Sequence, residues 1–133
     1  MSDEERAALF AHIHRSIREA ASRTGASLGS GEPDLVYPPG STLTDDERAA
    51  LGALGVTPPL RSAFEKIAAD AAAVVLFDLF AVLDGVGDPA EFGGEWLGFR
   101  LARRVEADEG HEPMLHDELF ESYWASPQPG KAG

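Results

Sequence analysis

One long apolar segment constrains the fold of this chain more than any other feature. Residues 57–85 read TPPLRSAFEKIAADAAAVVLFDLFAVLDG, with prolines near the start and a glycine at the end. Proline is favoured at the first positions of a helix and glycine just past its end, so the segment predicts a long central helix. From Ala71 onward apolar residues surround the helix axis, which is typical of a helix covered on several sides. One predicted face consists of Phe64, Ala71, Val75 and Val82.

A shared pattern predicts the start of two further helices. SDEERAAL at residues 2–9 and TDDERAAL at residues 44–51 each place a hydroxyl residue three positions before a glutamate, as in a capping box. We expect a first helix from about Asp3 to Ser22, ended by a loop that begins near Gly25, and a second from about Asp45 to Leu54. The first helix should present one apolar face, formed by Leu9, Phe10, Ile13, Ile17 and Ala20.

The last third of the chain predicts a strand and one more helix. In residues 96–105 Leu97, Phe99, Leu101 and Val105 alternate with Gly98, Arg100, Ala102 and Arg104, the pattern of a half-buried strand, whose best partner lies near Leu35–Tyr37. A last helix is expected from about Pro113 to Ala125, followed by a loose tail over 126–133. The predicted fold is therefore one α+β domain, residues 1–133, that is predominantly helical. Its N- and C-terminal helices pack on the long central helix, beside a small β element.

The net charge of the chain indicates which kind of partner it can bind. The 133-residue chain carries 23 acidic and 11 basic residues, which gives a net charge of −12. A charge of this sign repels the phosphate backbone, so we expect no nucleic-acid binding. The same charge attracts a basic protein, which is therefore the partner that the composition favours.

The composition also indicates a compartment. The chain contains no cysteine, which suits a reducing cytosol. Its acidic start, MSDEERAALF, is unlike a signal peptide. The longest apolar stretch, from Ala71 to Leu83, is interrupted by Asp78 and is shorter than the roughly 20 residues that a membrane span requires. With nine arginines to two lysines, the sequence is typical of a high-GC bacterium, and we predict a cytoplasmic protein without a membrane segment.

Two polar residues fall inside predicted apolar arcs. Asp78 lies in the arc of the central helix, and His116 lies between Tyr123 and Phe120 on the last helix. A buried carboxylate needs donors or a cation, and a histidine beside it could act as a general base. Asp78 and His116 are thus a candidate catalytic pair, although no nucleophile motif or phosphate-binding loop accompanies them. The alternative is that both are structural and are satisfied by nearby hydrogen-bonding groups.

A second candidate site is an acidic rim beside aromatic residues. Residues 106–121 contain seven acidic residues and neither lysine nor arginine. Aromatic residues are frequent at binding hot spots, and acidic rims select basic partners. The alternative is that the aromatic side chains pack against the central helix while the acids face solvent. The candidate binding residues are Glu109, Glu112, Glu118, Glu121, Tyr123 and Trp124.

These features favour a non-enzymatic, acidic protein-binding domain. One version is an immunity-type inhibitor whose acidic surface covers the basic site of a toxin, an analogy of size and charge. The alternatives are a small enzyme or ligand-binding domain with an Asp78–His116 pocket, and a housekeeping homo-oligomer. We expect no cofactor and no metal, because His12 and His14 point away from each other on a helix and no calcium-loop spacing is present.

Overall fold

A computed structural model describes residues 2–30, 33, 35–89, 92–100 and 115–125. Its helices are α1 (Asp3–Ser30), α2 (Asp45–Ala53), α3 (Pro58–Leu83) and α4 (Leu115–Glu121), with a 3₁₀ turn at Ser122–Trp124. The two long helices, α1 and α3, form an antiparallel pair. At one end the ring of Phe10 meets that of Phe80 edge-on, with 5.8 Å between centroids, and at the other end Gly25 lies against Glu65.

The predicted helix starts are confirmed. The Ser2 hydroxyl accepts from the Glu5 N–H at 3.2 Å, and the Glu5 carboxylate accepts from the Ser2 N–H at 2.7 Å. Thr44 and Glu47 form the same reciprocal pair at the start of α2, with the same two distances. Each box satisfies two backbone donors that the first turn of a helix leaves without an intrahelical partner.

The predicted end of α1 is wrong, because the helix continues eight residues beyond Ser22. The small polar residues that suggested a loop are accommodated within the helix. The hydroxyls of Thr24 and Ser27 donate to the carbonyls of Ala20 and Thr24, at 3.0 and 2.8 Å. Such bonds let hydroxyl side chains remain inside a helix. Gly25 is buried against α3, so its place in α1 follows from a contact between helices rather than from local propensity.

The predicted ends of α3 and the apolar face of α1 are confirmed. Thr57 caps α3 through its side chain, and Gly85 follows its last turn with a φ of +71°. A positive φ suits glycine, as expected just past the end of a helix. Four of the five predicted residues of α1 are half-buried, and Phe10 makes the contact with Phe80 although it is 42% exposed.

The predicted small β element is wrong for the described residues, so the fold there is helical and not α+β. Residues 95–100 and Leu35–Tyr37 contain no strand, and residues 101–105 lie outside the described part. The Trp96 indole N–H donates to the Val82 carbonyl at 2.7 Å, and the Phe99 N–H donates to the Leu83 carbonyl at 2.6 Å. This segment therefore bonds to carbonyls in the last turn of α3 instead of to a neighbouring strand.

The predicted packing of the C-terminal helix on the central helix is also wrong in the described part of the chain. Residues 115–121 are helical, but α4 contacts the 3₁₀ turn after it and none of α1, α2 or α3. Leu115 and Leu119, which were expected to face the central helix, are 81% and 59% exposed. The apolar arc of this helix predicts a contact, but the period of a helix does not identify the element that makes it.

Candidate protein-binding surface

The side of α3 that contacts α1 differs from the predicted side. It lies about 100° around the helix from the predicted face, of which Phe64 and Val82 are half-buried and Ala71 and Val75 are exposed. Small residues of α1 lie at this contact, where Ala21 and Gly25 are buried and Gly25 lies against the side chain of Glu65. The half-buried residues of α3 on the α1 side are Glu65, Ala68, Ala69, Ala72, Leu76, Phe80 and Leu83.

The opposite side of α3 is apolar and is exposed from Ile67 to Asp78, whereas Leu60, Phe64, Ala81 and Val82 on the same side are half-buried. Ile67 is 64% exposed, Val74 52%, Val75 67% and Phe77 72%. With Asp70, Ala71 and Asp78, these residues occupy an arc of about 160° at 100° per residue. We call this arc the outer face. In the described part of the chain α3 touches no helix other than α1, so the outer face has no helical neighbour there.

Two carboxylates lie within the outer face. Asp70 and Asp78 are both exposed, one turn on either side of Val74. The ion pairs that join described residues are Arg6–Asp3, Arg48–Asp45 and Arg61–Glu65. Neither Asp70 nor Asp78 is among them, so both carboxylates are available to a cation that arrives with a partner. The outer face therefore combines an apolar stripe with two negative charges.

The structure does not bring the candidate pair Asp78 and His116 together. Asp78 lies in an apolar arc, as predicted, but that arc points away from α1 and towards solvent. His116 is exposed on α4, a helix that does not contact α3. A general base held by a carboxylate needs hydrogen-bond reach between the two groups, and the lack of contact between α3 and α4 keeps Asp78 and His116 apart.

The predicted acidic rim is only partly described. Glu118 is exposed, and Trp124 is 69% exposed. Tyr123 is half-buried, with its ring edge-on to those of Tyr37 and Trp124 at 5.3 and 5.1 Å. The aromatic residues thus contact each other and Tyr37, and not the central helix. Glu109, Glu112 and the side chain of Glu121 lie outside the described part.

The sequence did contain a signal for the outer face. Apolar residues surround α3 from Ala71 onward, and this pattern predicts contacts on more sides than the one that α1 covers. The pattern predicts coverage by other elements of the same chain. Among the described helices α1 alone contacts α3, so the apolar residues of the outer face remain exposed.

No protein-family model matches this sequence, and no curated protein or solved structure shows significant similarity to it. Within the described residues, no helix combines the length and apolarity needed to cross a bilayer. Those residues also contain no cluster of three or more potential metal ligands. The outer face of α3 is therefore the feature of the described residues on which a functional proposal can be based.

Proposed function

We propose that this chain is a non-enzymatic protein-binding domain that recognises a basic amphipathic helix of another protein through the outer face of α3. The single observation that carries the proposal is the exposure of four large apolar residues along that face, each between 52% and 72% exposed. Single exposed apolar residues are ordinary on a protein surface. A contiguous apolar stripe with polar neighbours is typical of an interaction site.

The shape of the outer face favours a helix as the bound element. Positions 67, 71, 74 and 78 follow each other at intervals of three or four residues, so their side chains form a continuous ridge. A partner helix can pack its own side chains beside such a ridge over several turns. Ala71, near the middle of α3, leaves space for a larger residue of the partner. Helix-on-helix recognition of this kind uses apolar anchors at the same intervals.

The charge of the face and of the whole chain favours a basic partner. Asp70 lies beside the ridge and Asp78 at its C-terminal end, and the net charge of −12 attracts a cationic protein over a longer range. Lysine or arginine beside the apolar anchors of the partner would pair with these two carboxylates. An immunity-type inhibitor of a basic toxin in the bacterial cytosol is one protein of this class, and size, charge and the absence of cysteine support that version.

The test uses a fluorescent 18-residue helical peptide of leucine and lysine, with leucine on one face. Fluorescence anisotropy measures its affinity for the full chain. We expect Ile67→Gln combined with Val74→Gln to weaken binding at least tenfold, because each lost apolar contact accounts for about 1.5–3 kcal/mol. Val86→Gln is the matched control, since Val86 is 83% exposed and lies outside the outer face. Equal affinities of the two variants would contradict the proposal.

A second comparison tests the role of the two aspartates of the outer face. Asp70→Asn with Asp78→Asn should weaken peptide binding and reduce its dependence on salt, because both removed charges face the bound helix. Glu19→Gln with Asp88→Asn changes the net charge by the same two units, from −12 to −10, at exposed positions elsewhere. If both double variants lose the same affinity, only the overall charge matters. If a peptide with glutamate in place of lysine binds equally well, a basic partner is excluded.

A further inference from the structure

A groove lies at the opposite end of the helix pair from Gly25, and it is separate from the outer face. Its volume is about 960 Å³, within the range of small-molecule sites. The first turns of α1, the last turn of α3 and the segment after Trp96 form its walls. The lining residues are Arg6, Leu9, Phe10, Phe80, Leu83, Asp84, Leu97, Gly98, Phe99 and Arg100.

The wall formed by residues 97–100 is held in place by backbone contacts. The Phe99 N–H donates to the Leu83 carbonyl at 2.6 Å, and Gly98 has a φ of +74°. A Cβ atom at Gly98 would lie only 2.9 Å from the Cα atom of Gly85, so a side chain cannot be accommodated there. Glycine at this position therefore lets the segment cross the end of α3 and hold Leu97 and Phe99 beside the groove.

The groove is apolar, and arginines outnumber acidic residues among the described residues that line it. Six of the ten described residues that line it are large and apolar, and among them Leu97 and Phe99 are 81% and 64% exposed. The charged lining residues are Arg6, Arg100 and Asp84, which is two cations to one anion. The whole chain has 11 basic residues to 23 acidic ones. Arg6 also pairs with Asp3, but both side chains are more than half exposed, and exposed pairs of this kind are weak.

We propose that this groove binds an unbranched alkyl chain with a carboxylate head, the chemistry of a fatty acid. The alkyl chain lies along the aromatic and aliphatic walls, and burial of its methylene groups supplies most of the affinity. The carboxylate lies at the arginines, where a guanidinium can donate two parallel hydrogen bonds to it. This site is independent of the outer face, so the two proposals can fail separately.

The experiment titrates the chain with dodecanoate at pH 8, below its micellar concentration, and follows tryptophan fluorescence. Trp96 is the reporter because its ring lies edge-on to that of Phe99, 5.1 Å between centroids. The background variant Trp124→Phe leaves Trp96 as the single tryptophan, since the sequence contains two. We expect saturable one-to-one binding, confirmed by calorimetry. Decanoate, which is two methylenes shorter, should bind about tenfold more weakly.

Two matched comparisons test the walls and the head group. Leu97→Asp places a negative charge in the groove and should abolish binding. Val86→Asp is the control, since Val86 is equally exposed at 83% but does not line the groove. Arg6→Gln with Arg100→Gln should weaken binding of dodecanoate about threefold to tenfold, and dodecanol much less. Arg48→Gln is the control for Arg6, because Arg48 makes the same ion pair three residues after its aspartate, at the start of α2.

Each alternative outcome overturns the proposal. Binding that appears only at micellar concentrations would identify detergent-like coating rather than a site. Equal affinity for dodecanol and dodecanoate would show that the arginines do not bind the carboxylate. If Leu97→Asp and Val86→Asp behave alike, the ligand lies elsewhere on the chain. A double variant of the outer face, Ile67→Gln with Val74→Gln, should leave dodecanoate binding unchanged, which separates this test from that of the proposed function.

Discussion

Gly25 illustrates how the absence of one side chain leaves room for a side chain of a neighbouring helix. It is buried within α1, and a Cβ atom there would lie 2.8 Å from the Oε1 atom of Glu65. Glu65 is itself held by an ion pair with Arg61, at 3.0 Å. Gly29, one turn later, has no atom of another element within 4 Å of the same position. The two glycines therefore play different roles in the same helix.

Alanine substitution separates these roles. We expect Gly29→Ala to stabilise the chain by about 0.5–1 kcal/mol, since alanine favours the helix and nothing opposes the new methyl group. Gly25→Ala gains the same propensity but displaces Glu65, so its net effect should be close to zero or destabilising. Urea unfolding followed by circular dichroism measures both. Adding Glu65→Ala should restore the gain at Gly25, and equal effects of the two single substitutions would show that Gly25 is not a close contact.

A second residue-scale prediction concerns Trp96. Its indole donates to the Val82 carbonyl at 2.7 Å, and this bond attaches residues 92–100 to the end of α3. Trp96→Phe keeps an aromatic ring but removes the donor, and should cost about 1 kcal/mol in the free energy of unfolding. Trp124→Phe is the control because Trp124 is 69% exposed. The bond would be unimportant if both substitutions had the same small effect.

At the scale of the element, α3 is a helix with two apolar sides and one helical neighbour in the described part of the chain. The side towards α1 contributes small and medium residues, whereas the outer face contributes Ile67, Val74, Val75 and Phe77. Burial on one side stabilises the helix pair. Exposure on the other side has a cost in water, which a partner that covers it would recover.

Two adjacent residues of α3 test which side is the core. Leu76 is half-buried on the side towards α1, and Val75 is 67% exposed on the outer face. Leu76→Ala should lower the free energy of unfolding by about 1–3 kcal/mol. Val75→Ala should leave it unchanged or raise it by a few tenths, because alanine is the better helix former. Thermal or urea unfolding of the free chain gives both values, and the reverse order would restore the face predicted from the sequence.

At the scale of the whole molecule, exposed apolar surface and charge favour the same kind of partner. The described residues expose four large apolar side chains along one face of α3, each between 52% and 72% exposed, and a partner that covers them would remove this surface from water. The net charge of −12 sets the sign of the partner that approaches most readily.

The same two properties lead to a prediction about self-association. A symmetric dimer through the outer face would bring Asp70 and Asp78 of both copies into one interface, with 24 net negative charges in total, twice the 12 of one chain. We therefore expect a monomer by light scattering at micromolar concentration and low salt. A dimer that dissociates on the substitution Val74→Gln would show that a second copy, and not a basic helix, occupies the outer face. The homo-oligomer expected as an alternative would then be correct.

Local chemistry was predictable from the sequence wherever neighbouring residues decide it. The capping pairs Ser2–Glu5 and Thr44–Glu47, the prolines that begin α3 and the glycine after its end each act within one or two turns of the chain. The apolar side of α1 was predictable for the same reason, since it needs only the period of the helix. These features required no knowledge of what lies elsewhere in the molecule.

Contacts between distant residues were decided only by the tertiary structure. The sequence predicts a loop at Gly25, but in the structure this residue is helical and lies against Glu65. It predicts a strand from residue 96, but Trp96 and Phe99 instead donate to carbonyls at the end of α3. Asp78 belongs to an apolar arc in the sequence and in the structure. That arc is exposed because α1 packs on the other side of α3. A helical period states which residues share a side, but only the packing of another element determines which side is buried.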